Sequence, residues 1–294
     1  MESLLMRGSI WKLLLISLLC THCARPVGVS TVSWSPNLTQ RIPPRPQYAP
    51  TGSQFADRVW EMDSRQREQA ISDELLRGNL PDFLRELAPV QLEHTLPDGR
   101  VIHATIFVMP DYLAIGSDED FLRIPMGLHT ATAVASHFGF ILPTTRMVDA
   151  IYEQAAYRFE PKPMMPGPEM RSTEYYRRHN HMIGEQGLGF SLGKLVAGHK
   201  KDVVVTNRLA AEPEKVAIYG WHRYRGDPIQ PLSTVHGARY ADYSHGIRLV
   251  SDIVLIDGKY ESIYKILQDP LLADVLSDEG AIGNLEQIVG LRAS

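Results

Sequence analysis

Between Val90 and Val108, apolar and polar residues alternate through "VQLEHTL" and again through "VIHATIFV", on either side of "PDGR". Alternation at period two gives each segment one apolar face, and Asp98-Gly99 is a favoured tight-turn pair, so the stretch predicts a β-hairpin. A second hairpin is predicted in "RLVSDIVLIDGKYESIY", turning at Asp257-Gly258. "YLAIG", "DVVVT" and "KVAIYGWH" predict further strands.

A helical period takes over elsewhere. "QFADRVWEMDSRQREQAISDELLRG" predicts one helix from an N-cap at Ser53 to Gly78, with Phe55, Val59, Met62, Ala70 and Leu75 as its loose stripe. Helices are also predicted in "PDFLRELA", "TATAVASHFG", "PTTRMVDAIYEQAAYRF", "STEYYRRHNHMIGEQ" and "SIYKILQDPLLADVLSD", the last broken at Pro270. On such a helix His179 and His181 point about 200° apart, and the polar surroundings predict an exposed face for them. "PKPMMPGP" is expected as a surface loop within one domain. Strands and helices intermix without repeats or a βαβ rhythm. The expected class is therefore α+β, with a mixed, mainly antiparallel sheet and helices packed on it.

The N-terminus has a different pattern. Arg7 and Lys12 precede a short apolar run, Leu13 to Cys20, which is too short to span a bilayer as a mature helix. Residues 1–28 are read as a secretory signal peptide, 29–52 as a proline-rich linker or extended arm, and 53–294 as the globular domain. This places the protein outside the cytosol, secreted or periplasmic, with no stable membrane span in the mature chain. Both cysteines, Cys20 and Cys23, fall in the leader, which leaves no disulfide, Cys₄ zinc site or cysteine nucleophile beyond it. A net charge of -4 over 294 residues argues against nucleic acid as a partner.

Of eleven histidines, ten lie beyond the leader, and "STVHGARYADYSHGIRLV" holds two of them among tyrosines, arginines and an aspartate. His236, Asp242 and His245 converge if the segment is an irregular loop entering a strand at Ile247, with Gly237 and Gly246 permitting the backbone. If residues 240–245 form a helical turn instead, Asp242 and His245 share a face. Either way a carboxylate can fix an imidazole's tautomer and raise its basicity. His222 ends one predicted strand and His199 precedes another.

Two chemistries fit these residues. A divalent metal, zinc first among them, could be held by two or three of His222, His236, Asp242 and His245 to activate water. The spacing matches no zinc signature such as HExxH. Metal-free acid–base catalysis would pair a histidine with Tyr240 or Tyr243, with Arg239 or Arg248 on an anionic substrate and His199, Lys201 and Trp221 flanking it. "GFSLG" fits G-x-S-x-G around Ser191, but no strand precedes it. A phosphate loop fails at Leu188 and Leu195. "GSDED" is explained by turn chemistry, and "PDY" (residues 110–112) is placed at a cleft rim. The expectation is a hydrolase acting on an extracellular or cell-envelope polymer, peptidoglycan or another polysaccharide. Its alternatives are a carbohydrate-binding module stacking on Trp221, Tyr224, Tyr240 and Tyr243, a lyase using a Tyr/His pair, and a serine hydrolase using Ser191.

Overall fold

Ile102, Ala104, Ile106 and Val108 turn inward from one strand while their neighbours face outward or lie half-buried, and this strand anchors the larger sheet. The computed structural model describes residues 37–283 and 285–288, so the predicted leader lies outside the described residues. The described chain is a single α+β domain whose strand pairs are mostly antiparallel.

Its strands are β1 (Ala88–Thr95), β2 (Val101–Val108), β3 (Ala114–Gly116), β4 (Phe121–Arg123), β5 (Phe140–Ile141), β6 (Tyr157–Arg158) and β7 (Val196–Ala197). They continue as β8 (Lys201–Val203), β9 (Ile218–His222), β10 (Pro228–Ser233), β11 (His245–Gly246), β12 (Val250–Ile256) and β13 (Lys259–Ser262). The larger sheet runs β1-β2-β12-β13, with β5 also on β12, and both predicted hairpins are in it. Asp257 and Gly258 both have positive φ, as a tight hairpin turn requires. A four-stranded sheet runs β10-β9-β8-β11, and its β8–β11 pair is parallel. "YLAIG" does not extend the first hairpin; β3 pairs with β4 apart from it.

The predicted helix from Ser53 to Gly78 is two helices, α1 (Gly52–Arg58) and α2 (Ser64–Leu76). Asp63 accepts from the backbone N–H groups of Arg65 and Gln66, and the Gln66 side chain accepts from Asp63 N–H. That capping box starts a second helix where the apolar stripe alone suggested continuity. α3 (Leu128–Phe138) ends at Gly139 in the left-handed conformation, and α4 (Thr145–Gln154) starts from Thr144 as its cap. α5 (Thr173–Gln186) is capped by Ser172. "PDFLRELA" forms only a 3₁₀ turn, Asp82–Arg85.

The proline-rich arm lies on the domain from residue 37. Ile42 is buried, and Arg45 donates to Asn79 Oδ1, to Gly116 O and to Ala49 O. Between the two sheets the chain from Ile247 to Leu249 is fully buried, bonding Leu113 N–H and Met109 N–H. The expected strand at Ile247 is thus outside the ladder; pairing there is limited to His245 and Gly246.

Candidate active site

The four-stranded sheet sets out the site through its register. Lys201 pairs with Gly220 on one side and with His245 on the other, while Asp202 pairs with Tyr219 and Gly246. Paired residues share a face, so Lys201 and His245 project together and Asp202 projects oppositely. Gly246 is where the second face closes tightly: a Cβ there would stand 2.6 Å from the Tyr112 ring and 2.7 Å from Lys200 Cβ. Tyr112 in turn donates to Asp202 at 2.8 Å.

Gly220 and Trp221 both have positive φ, 102° and 56°. For a bulky residue that conformation costs about 1–2 kcal/mol. It carries the Trp221 indole beside Lys201, whose ammonium sits 4.9 Å from the ring centre.

Residues 236–244 form an irregular segment without a helix that leads into His245 of β11. It is pinned on two sides: Ala238 N–H donates to Glu214 O, Val216 N–H donates to His236 O, and Ala238 O accepts from Leu128 N–H at the start of α3. Asp242 then organises the remainder. Its Oδ1 accepts from Ser244 N–H at 2.8 Å and Ser244 Oγ at 2.6 Å, and its Oδ2 accepts from Tyr240 Oη at 3.1 Å. Oδ2 also faces His245 Nε2 at 4.0 Å. The His236 ring lies 4.0 Å from Tyr240, close to parallel, and 6.4 Å from His245. Arg171, just before α5, reaches over Tyr240 with its guanidinium carbon 5.4 Å from the ring centre.

Burial divides the cluster. Asp242 and His245 are 2% and 1% exposed, whereas His236 and Tyr240 are half-buried and meet solvent. Burial pushes His245 down to about 4, against the pull of Asp242, so its imidazole is neutral near pH 7. Burial also works against the charge of Asp242, yet nearby His245, the two Ser244 hydrogen bonds and Lys201 hold its carboxyl below the ordinary range. Tyr240 is pushed up to about 12 by burial and Asp242 and keeps its proton. His236 is lowered by burial first, with Asp242 opposing and Lys201 and Lys215 adding to the shift. The result is an anionic carboxylate between a protonated phenol and a neutral imidazole, with a second imidazole at the surface.

Several expected members are placed elsewhere. His222 stands with Nε2 2.9 Å from Asp149 and its ring stacked on Tyr152 of α4, so it does not join His236, Asp242 and His245. Among the described residues no three His, Cys, Asp or Glu side chains stand close enough to hold a metal ion. Tyr243 is core: its Oη accepts from Met164 N–H, and its ring meets Tyr175 and His179. Arg248 is fully buried, donating to Met109 O and Val196 O with Tyr112 against its guanidinium, which leaves it unavailable to a substrate. His199 is enclosed with Nε2 3.2 Å from Asp111. Arg239 is exposed on the loop. His179, expected at the surface, is wholly buried on α5 with the Tyr243 ring 5.0 Å from its own; His181 is exposed.

Ser191 sits exposed on the loop after α5, and no strand leads into it. Asp111 of "PDY" lies in the floor of a cleft of about 550 Å³, paired there with Arg123 at 2.6 Å. Phe83, Phe121, Phe159 and Phe190 supply much of its wall.

Three contributors had no part in the sequence reading. Ser244 and Arg171 touch the cluster, and Lys215 acts on His236 by charge. Only Ser244 had a usable signal: Asp-x-Ser is the pattern in which an aspartate accepts from the backbone and hydroxyl two residues on.

No protein-family model, curated protein or solved structure matches this chain.

Proposed function

We propose that the 236–245 loop is the acid–base centre of a hydrolase acting on an extracellular or cell-envelope polymer, peptidoglycan or another polysaccharide. The observation that carries this reading is the shared carboxylate: Asp242 joins Tyr240 and faces His245, while His236 lies on Tyr240 within reach of solvent. A neutral, half-exposed imidazole with its pKa below the usual value is suited to accept a proton near neutral pH. In the proposed reaction His236 takes a proton from water as the water oxygen attacks the scissile centre, and returns it to the leaving group as that bond breaks. One water is added across one bond. Asp242 and Tyr240 hold the geometry, the Tyr240 hydroxyl donating to the Asp242 carboxylate. Placement outside the cytosol rests on the basic and apolar pattern of residues 1–28.

The binding-module alternative is not favoured by placement, since Trp221 and Tyr243 are buried and do not extend Tyr224 and Tyr240 into a stacking strip. The test is release of soluble fragments from purified sacculi and a polysaccharide panel. Turnover should fall at least about 100-fold in His236→Ala and His245→Ala and stay unchanged in Ser191→Ala. Full activity in His236→Ala would overturn the assignment. Products carrying a new carbon–carbon double bond would place the same residues in a lyase.

A further inference from the structure

Lys201 is a half-buried ammonium beside the proposed catalytic loop, and it lacks the partner such a group usually has. Among the described residues no carboxylate comes within 4.0 Å of it, and its Nζ donates no hydrogen bond. Asp242 is the acid that acts on it by charge, and both of its oxygens already accept hydrogen bonds, from Ser244 and Tyr240. Instead the ammonium rests on the Trp221 ring. A tryptophan face is the best aromatic surface for a cation, so the contact fixes the charge without neutralising it.

Trp221 holds this position at a cost in two respects. Its backbone is left-handed, and its indole Nε1–H is buried without an acceptor. Strain and unsatisfied donors of this kind persist where surrounding structure imposes them, and they concentrate at functional sites. The same neighbourhood is rich in positive charge. Lys201 and Lys215 both act on His236, and Arg171 on Tyr240, whereas Asp242 is the carboxylate acting on either. This excess stands out in a chain whose net charge is -4.

We propose that Lys201, positioned by Trp221, binds a carboxylate of the substrate, so that this site takes a carboxylate-bearing chain. The proposal rests on the reading of the 236–245 loop as the catalytic centre, because Lys201 and His245 are ladder partners and share a face. A carboxylate on Lys201 would lie beside the bond presented to His236. Peptide C-termini and uronic-acid residues both carry that group, and the chemistry here is common to them.

Isothermal titration of the full chain provides the test, with two probes: N-acetyl-alanyl-alanine and trigalacturonate, each compared with its methyl ester. One of the free acids should bind at least about ten-fold more tightly than its ester, and the probe that does so identifies the source of the carboxylate. Lys201→Gln should abolish the preference, Lys201→Arg should retain most of it, and Trp221→Leu should reduce it with the circular dichroism spectrum unchanged. Equal affinity for acid and ester, a preference surviving in Lys201→Gln, or no binding of either acid would overturn the proposal. The two readings separate in the variants. Loss of the preference in Lys201→Gln together with full turnover in His236→Ala would uphold the carboxylate site and remove the catalytic assignment.

Discussion

The imidazole of His236 lies against the phenol of Tyr240 with ring centres 4.0 Å apart and planes 10° from parallel. Through the Tyr240 hydroxyl that stack reaches Asp242, so one side chain links the exposed half of the cluster to its buried half.

The titration of His236 should report this linkage. Burial and Lys201 lower its pKa while Asp242 raises it. Asp242→Asn should therefore move the midpoint further down, and Lys201→Gln should move it up, as followed by imidazole proton shifts in NMR. Movement in the reverse sense in either variant would contradict the charge arrangement.

Acid should destabilise the protein through its enclosed histidines. His199 and His245 are pushed down to about 4 by burial, and His179 well below the ordinary range. Each folded-state value lies below the unfolded one near 6.5, so between about 4 and 6.5 the unfolded chain binds protons the folded chain refuses. Their stabilisation is present above about pH 6.5 and is lost as pH falls through that window. Asp202, raised to about 6 by burial, works oppositely: its contribution is present below the unfolded value and disappears as pH rises through 6. Glu68 and Asp252, both raised by burial, act in the same sense as Asp202, and the three enclosed histidines outweigh them. Unfolding in urea should show stability falling from pH 7 to pH 4.5, and the slope should be shallower by about one proton in His179→Phe.

The same His179→Phe variant should be at least as stable as the parent at pH 7. Both ring nitrogens of His179 are buried without a hydrogen-bond partner, a state that costs about 1–3 kcal/mol per group. A lowered urea midpoint at neutral pH would mean that the imidazole is satisfied by something beyond the protein's own atoms.

Gly246→Ala should be strongly destabilising, by about 1–3 kcal/mol, because the new methyl enters the space of the Tyr112 ring and Lys200 Cβ. Adding Tyr112→Ala should offset part of the loss, and a double-mutant cycle of urea midpoints measures the coupling. Strict additivity would show that the backbone, not the ring, resists the change.

Asp111→Asn should cost about 3–5 kcal/mol, since it leaves the Arg123 guanidinium charged in a buried site. Differential scanning calorimetry would register this as a large fall in Tm. A small change would mean that the cleft admits enough water to solvate Arg123.

Local patterns made much of the fold legible. Alternating burial in β2 and the Asp257-Gly258 turn are written in neighbouring residues, and both hairpins follow from them. The break between α1 and α2 was also local, but its signal is the Asp63/Gln66 capping pair and not the apolar stripe. The small parallel contact of β11 with β8 depends on residues more than forty positions apart and leaves no such pattern. The candidate site divides in the same way. His236, Tyr240, Asp242 and His245 converge within one short loop, so their proximity could be anticipated from spacing. Where His222, Arg248 and His179 go depends on Asp149, Met109 and Tyr243, partners distant in the sequence. Histidine density and strand ends gave no hint of which imidazoles those partners would claim.

Lys201 and His245 are neighbours in a hydrogen-bonded ladder rather than the tips of two independent loops. Their spacing is therefore a property of the β-sheet, fixed before anything arrives. A ligand would meet a preset template, and its association should follow simple one-step kinetics, without a slow rearrangement phase at saturating concentration.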